Sequence, residues 1–274
     1  MRTWIEGNRP ENSKATVSLF RGRISLVTRA HLPFVLFLSL FACGVPFGEA
    51  AAQEDETAKA KPADPPAPEG PSKEVRGAVI DPEGAPLSGA SLTVVGGGKG
   101  STVSGADGSY VFTGLPSGDV TIRASKAGYI DVYLTFSIWT DEKLKVDAEM
   151  YSRVEEIADF QTTHGRPWDP SKGVVFAVFE DRADSRKTLT GGTAKLLTKG
   201  SQSFVTDASD NQIPGETVPA NSAAPSVEFT DVPPGKWNVD ITPPPGLTCF
   251  VPVLAPVYAG SYSLVVVSCE PPKE

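Results

Sequence analysis

Between Lys73 and Met150 the chain is interrupted every few residues by a turn signal, and between interruptions apolar and polar side chains alternate. Val75, Gly77 and Val79 form one such set, as do Tyr110 and Phe112, and Val120, Ile122 and Ala124. Leu134, Phe136 and Ile138 follow, then Leu144, Val146 and Ala148. A period of two puts alternate side chains on one side of a pleated strand, so each set lines one face of a sheet. Pro82-Glu83-Gly84, the glycine cluster from Gly96 to Gly100, Asp107-Gly108 and Pro116-Ser117-Gly118 separate the sets with residues that tight turns require. No stretch of about twelve residues carries a helical period. About seven strands in so short a span predict a small Greek-key β-sandwich over 73–150.

The second half repeats the first in diverged form. VEFTDVPPGKWNVDI, from Val227, aligns with YVFTGLPSGDVTIRA, from Tyr110: an aromatic, a threonine, a Pro-x-Gly turn, then an alternating strand. Upstream, GVVFAVFED and GGTAKLL fall where GAVIDPEG and GASLTVV fall in the first copy. A repeat spacing of roughly 110–120 residues means tandem domains, not a solenoid. The predicted fold class is therefore all-β, two tandem small Greek-key sandwiches at 73–150 and 173–274. The sequence leaves the interdomain segment 151–172 open between a short helix and irregular structure.

Arg21, Arg23, Arg29 and His31 precede the apolar run from Leu32 to Ala42, which is the layout of a secretory signal. The run is shorter than the roughly 20 apolar residues needed to span a bilayer. The first twenty or so residues fit neither a signal nor a domain, leaving a downstream start or an extended n-region. Two cleavage sites compete. Leu40-Phe41-Ala42-Cys43 resembles a lipobox, with Phe41 departing from the usual small residue, and makes Cys43 the expected lipidation site. Ala50-Ala51-Ala52 before Gln53 would instead release a soluble protein. Residues 1–52 thus read as signal segment and start of tether, and the charged, Pro/Ala-rich residues 53–72 as a disordered linker. With Cys43 processed, Cys249 and Cys269 remain as an even pair in an oxidising compartment. Their midpoint falls in Tyr258-Ala259-Gly260, so a hairpin there sets them opposite each other; Pro252 and Pro256 leave a bridge between two sheets as the alternative. A loop of this size stabilises a domain by about 3 kcal/mol.

The strings RGAVIDPEGAPLSGASLTVVG and STVSGADGSYVFTGLPSGDVTIRASKAGY resemble the carboxypeptidase regulatory-like domain, a transthyretin-like (prealbumin-like) sandwich appended to many secreted and surface proteins. The resemblance rests on Gly77, Val79, Asp81, Gly84, Pro86, Leu87, Gly89 and Ala90, then on Asp107, Gly108, Tyr110, Phe112, Leu115, Pro116, Gly118, Ala124, Gly128 and Tyr129. These residues set turns and fill a core, so they mark a fold and not a chemistry. Asp81 and Asp107 are expected to cap turns. The resemblance implies a module that accompanies enzymes, and no zinc-peptidase domain follows it in this sequence.

The formal net charge is −8, but residues 1–42 carry +4, so the remaining body stands at −12. Such an acidic body speaks against nucleic-acid partners, which need clustered Lys and Arg. His31 and His164 are the two histidines, so a triad or a multi-histidine metal site is not expected within either sandwich. GGGKGST lacks the Lys-Ser/Thr of a phosphate loop, and DASDNQIPGETV lacks the glycine and closing glutamate of a calcium loop. The expectation is a non-catalytic module without cofactor or metal, reaching a membrane only through a lipid anchor and acting on an unidentified protein or glycan. Outer-membrane or cell-surface attachment is expected, mildly favoured by Gly44, with a soluble periplasmic or extracellular form as the alternative. A carbohydrate-binding module is the second reading, with Tyr133, Trp139, Trp168 and Trp237 as possible ligand contacts, although Trp237 alternates with Val239 and Ile241 as a core residue would. An accessory protein of a secreted enzyme system is the third.

Overall fold

The computed structural model describes residues 73–139, 143–252 and 254–272, so Cys43 and the segments expected to be signal and tether lie outside the described residues. The first module contains β1 (Lys73–Ile80), β2 (Ser91–Gly96), β3 (Ser101–Val103), β4 (Ser109–Leu115), β5 (Gly118–Ser125), β6 (Val132–Ile138), β7 (Lys143–Lys145) and β8 (Ala148–Glu149). One sheet has the order β4-β1-β7, with β8 also beside β1; the other runs β6-β5-β2-β3. The Pro116-Ser117-Gly118 turn carries the chain from one sheet to the other. Val75, Val79, Tyr110, Phe112, Val120, Ile122, Leu134 and Ile138 meet between the sheets, as the period-2 sets predict. Gly77 shows why one such position tolerates no side chain: a Cβ there would lie 1.7 Å from the Val146 carbonyl oxygen and 2.9 Å from the Tyr110 ring. The Tyr110 hydroxyl donates to that same carbonyl.

The segment left open in sequence forms α1 (Arg153–His164), ended by Gly165 in the left-handed conformation at φ 65°. It buries Phe160 against the first core and leaves Val154 exposed.

The second module contains β9 (Gly173–Asp181), β10 (Asp184–Thr188), β11 (Thr193–Leu196), β12 (Gln202–Thr206), β13 (Gln212–Pro214) and β14 (Ser226–Val232). It continues through β15 (Gly235–Trp237), β16 (Val239–Thr242), β17 (Thr248–Phe250), β18 (Ala255–Val257) and β19 (Tyr262–Glu270). Four of its pairings repeat those of the first, whereas β12, which pairs β14, departs from β3, which pairs β2. β9 is antiparallel to β14 and parallel to β19, as β1 is antiparallel to β4 and parallel to β7. β11 pairs β16 as β2 pairs β5, and β15 pairs β18 as β5 pairs β6.

The repeat reaches single residues. In the first copy the register skips Gly114, at φ 71°, between Lys73↔Leu115 and Glu74↔Thr113. In the second the register breaks between Phe229 and Val232, and Asp231, aligned with Gly114, holds φ 59°. A β-bulge thus persists at the same place although a carboxylate has replaced the glycine, with Arg166 donating to Asp231 at 2.8 Å and to Thr230 at 2.7 Å. The Gly77–Tyr110 pair of the first copy becomes Ala177–Val227 in the second, so a smaller partner goes with the added methyl.

The two sandwiches do not stand apart as tandem beads. β19 lies parallel to β9 on one edge and to β6 of the first module on the other, with Tyr262 in register with both Val174 and Val132. An eleven-stranded sheet results, ordered β13-β12-β14-β9-β19-β6-β5-β2-β3, with β10 on β9 and β17 on β19. Strands β9 and β19 are covered on both faces. Val174, Phe176, Val178, Tyr262, Leu264 and Val266 join the first core beneath α1, whereas Val175, Ala177, Phe179, Val265 and Val267 fill the second. This is why GVVFAVFED and YSLVVVS are nearly continuous apolar runs: parallel strands buried on both faces have no solvent side to make polar.

Candidate functional site

The polar groups at the junction are tied into packing. Tyr151 donates to Glu149 at 2.7 Å, and Tyr262 donates to the buried Glu156 carboxylate of α1. Burial, with Glu149 next, pushes the Tyr151 phenol well above its ordinary range. His164 is enclosed by Phe160 and Phe204, its Nε2 3.2 Å from Glu228 Oε1 but without hydrogen-bond alignment, and Gln212 donates to the other Glu228 oxygen at 3.0 Å. This histidine therefore lies inside the protein, against a carboxylate, with no open approach for a substrate. Glu180 faces the first module from β9; burial, with Asp147 adding, pushes its carboxyl up to about 8.

A more accessible arrangement sits on the outer face of β5 and β6. Asp119, Thr121 and Arg123 stand opposite Ser137, Thr135 and Tyr133, three cross-strand pairs that a lone sandwich would expose. Ser137 donates to Asp119 at 2.6 Å, the Thr121 and Thr135 hydroxyls are 3.1 Å apart, and Arg123 pairs with Asp131 at 2.6 Å. Leu254, Pro256 and Tyr258 of the second module overhang this face and leave Thr121 and Thr135 only 7% and 2% exposed. Between face and overhang lies a cleft of about 190 Å³, with Lys236 also on its wall.

The structure does not gather the four aromatics named from sequence. Tyr133 is buried and stacks on Tyr258 with ring centroids 4.0 Å apart. Trp139, just past β6, is exposed. Trp168, one of the possible ligand contacts, is held in the first core, 5.1 Å from the Phe160 ring and 5.5 Å from Tyr262, which leaves it little surface for a ligand. Trp237 packs against the second core, its indole N–H donating to the Pro233 carbonyl at 2.7 Å. Tyr258 and Lys236 carry no local signal in sequence, lying in a turn and a short ribbon strand; Asp119, Thr121 and Arg123 alternate with the core set Val120, Ile122 and Ala124, which puts them on the other face of the strand.

Cys249 and Cys269 are bonded as direct partners on antiparallel β17 and β19 of one sheet and not between two sheets, but β18, which pairs β15 in another sheet, lies between them along the chain, so the two strands are not the simple hairpin expected. Asp81 accepts from the Ala85 amide at 2.7 Å and Asp107 from the Ser109 hydroxyl at 2.7 Å, both as turn caps. Those Ser109 bonds hold the Asp107 carboxyl below its ordinary range. Asp207 accepts from the amides of Ser209 and Asn211, closing the β12–β13 hairpin, and GGGKGST is the β2–β3 turn. Among the described residues, no three His, Cys, Asp or Glu side chains gather as a metal site, and no helix is long and apolar enough to cross a membrane.

No curated protein matches the chain in sequence. Among solved structures, the Bacillus anthracis TIE protein aligns at 14% identity with a TM-score of 0.27, covering 73% of this chain and 34% of its own, so this chain spans about a third of that protein's length. The shaft pilin SpaA of Lactobacillus rhamnosus GG aligns at 11% identity and TM-score 0.24, covering 74% of this chain and 100% of its own. BcpA, the major pilin subunit of Bacillus cereus, aligns at 8% and 0.28, covering 73% and 100%. At these scores the likeness carries no argument about function. Residues 74–151 match the family model of the carboxypeptidase regulatory-like domain, and the first sandwich, as that part of the chain, is a carboxypeptidase regulatory-like domain.

Proposed function

We propose that the protein is an exported, non-catalytic module, held at a cell surface or in the periplasm through an acylated Cys43 and acting through the surfaces of two fused sandwiches. Residues 53–72 are its tether, 73–150 and 173–274 its modules and 151–172 the segment between them. The observation that supports this most is β19, which belongs to one sheet with both β9 and β6 and so makes a rigid block of two modules. A block of this kind holds surface groups in fixed relative positions, and its buried Glu149, Glu156 and His164 are engaged in packing where they cannot meet a substrate. The test is mass spectrometry of the mature N-terminus, together with protease treatment of intact producing cells. An acyl-modified Cys43 and release of a stable fragment starting near Lys73 are expected. A mature chain beginning at Gln53 removes the anchor, and an unprocessed, protease-shielded chain removes the whole reading.

A further inference from the structure

We infer that His164 and Glu228 hold a zinc ion that clamps the end of α1 to the sheet of the second module. The sequence alone predicts no metal, because His31 and His164 cannot build a multi-histidine site; the fold instead brings His164 against a carboxylate. The His164 side chain is 1% exposed and that of Glu228 5%. Neither ring nitrogen of His164 has a hydrogen-bond partner among the described residues, and Gln212 Oε1 is buried in the same condition. Buried polar atoms are nearly always satisfied. Three that are not, on the two side chains that meet Glu228, call for a ligand.

The spacing selects that ligand. Nε2 stands 3.2 Å from Glu228 Oε1 without the alignment of a hydrogen bond, so the two atoms do not satisfy each other. A water about 2.8 Å from both would see them at an angle of about 70°, too acute for its hydrogens and lone pairs. An ion about 2.0–2.1 Å from both sees them at about 100°, close to tetrahedral. Zinc accepts imidazole nitrogen and carboxylate oxygen together, whereas calcium and magnesium are held by oxygen. Nε2 offers its lone pair when the ring proton sits on Nδ1.

The surroundings suit an ion with a structural role. Gln212 donates to the other Glu228 oxygen at 3.0 Å, the outer bond that fixes a ligating carboxylate. The Phe160 and Phe204 rings, with centroids 4.3 and 4.8 Å from that of His164, hold the imidazole in place. Two protein ligands are fewer than the usual structural four, so the Gln212 amide oxygen and water complete the shell, and binding is weaker than at a closed Cys/His site. Helix α1 is already held in the first core by Phe160; the clamp adds a tie from its last turn to β14.

The test strips the full processed chain with a chelator and supplies zinc both to the folded protein and during refolding from urea, since so buried a pair has no open path for an ion. One zinc per chain is expected by native mass spectrometry, with a urea midpoint that rises with zinc concentration. Cobalt in place of zinc is expected to shift the His164 ring signals in NMR. His164→Phe, which suits the aromatic surroundings, and Glu228→Gln each lower affinity tenfold or more, whereas Glu155→Gln, exposed on the first turn of α1, leaves it unchanged. No zinc bound by either route, zinc bound with the His164 signals unmoved, or undiminished binding in Glu228→Gln overturns the inference. Where a variant fails to fold, the cobalt shifts of the wild type decide alone. None of these results touches Cys43, so this inference and the anchored reading fail separately.

Discussion

Glu180→Gln should stabilise the protein at alkaline pH and flatten its pH dependence. Glu180 continues the series Val174, Phe176 and Val178, so its carboxyl points from β9 toward the first module, where it is 7% exposed with Asp147 nearby. Burial first, and Asp147 second, raise its pKa to about 8 from an ordinary 4.5. The folded state therefore holds a proton that the unfolded chain releases across this interval. Since stability falls with pH wherever the native state binds more protons, this group's contribution is full below about 4.5 and is lost as pH rises toward and through 8. The interval corresponds to about 5 kcal/mol at its ceiling, from about 1.4 kcal/mol per pH unit. Glutamine keeps the shape and cannot ionise. Urea denaturation of both proteins at pH 5, 7 and 9, with the disulfide intact, should give similar stabilities at pH 5 and a variant more stable by several kcal/mol at pH 9. Asp147→Asn should recover a smaller part of the same loss, because burial is the larger cause. Equal slopes for wild type and Glu180→Gln would refute the placement of this carboxyl.

Three further outcomes are expected. Gly77→Ala should cost about 3 kcal/mol or more, because the new methyl meets the Val146 carbonyl, read as a drop in the urea midpoint; Gly84→Ala, whose Cβ would meet nothing within 4 Å but whose φ is 82°, should cost only about 1 kcal/mol. Reduction of Cys249–Cys269, which are 20 residues apart, should lower stability by about 3 kcal/mol and be reversed by reoxidation, followed by the same titration under dithiothreitol. Leu264→Ala, on the last strand of the second module but in the first core, should cost about 2–5 kcal/mol and lower a single calorimetric transition as a whole; two separate transitions, one unmoved, would contradict the shared sheet.

What was legible in the sequence follows from how local each feature is. Period-2 sets such as Val120, Ile122 and Ala124 are decided by neighbours along one strand, and they line the core as read. The VEFTDVPPG repeat is likewise local, and it located a bulge whose left-handed residue changed from Gly114 to Asp231. Helix α1 was ambiguous because, of its 12 residues, Glu156 and Phe160 are the ones buried, too few to imprint an apolar period. Trp168 is covered by that helix through Phe160 and by Tyr262 of β19, a burial that no local pattern signals.

The shared strand shows where such reading stops. GVVFAVFED and YSLVVVS announce burial on both faces, but an apolar run states only that something covers it and not what. A single sandwich would have used one face of β9 and β19 and left the other to water. Here that second face, Phe176, Val178, Leu264 and Val266, becomes part of the first module's core. The same docking brings Tyr258 over the hydroxyls of β5 and β6, so the cleft and the fused sheet have one origin. Neither Tyr133 nor Tyr258 announces in sequence a partner more than a hundred positions away; both are fixed by the parallel register of Tyr262 with Val132, which sets the second module on the first. A substitution that shifts that register, such as Leu264→Pro, which removes a ladder amide opposite Leu134, should therefore open the cleft as well as weaken the core.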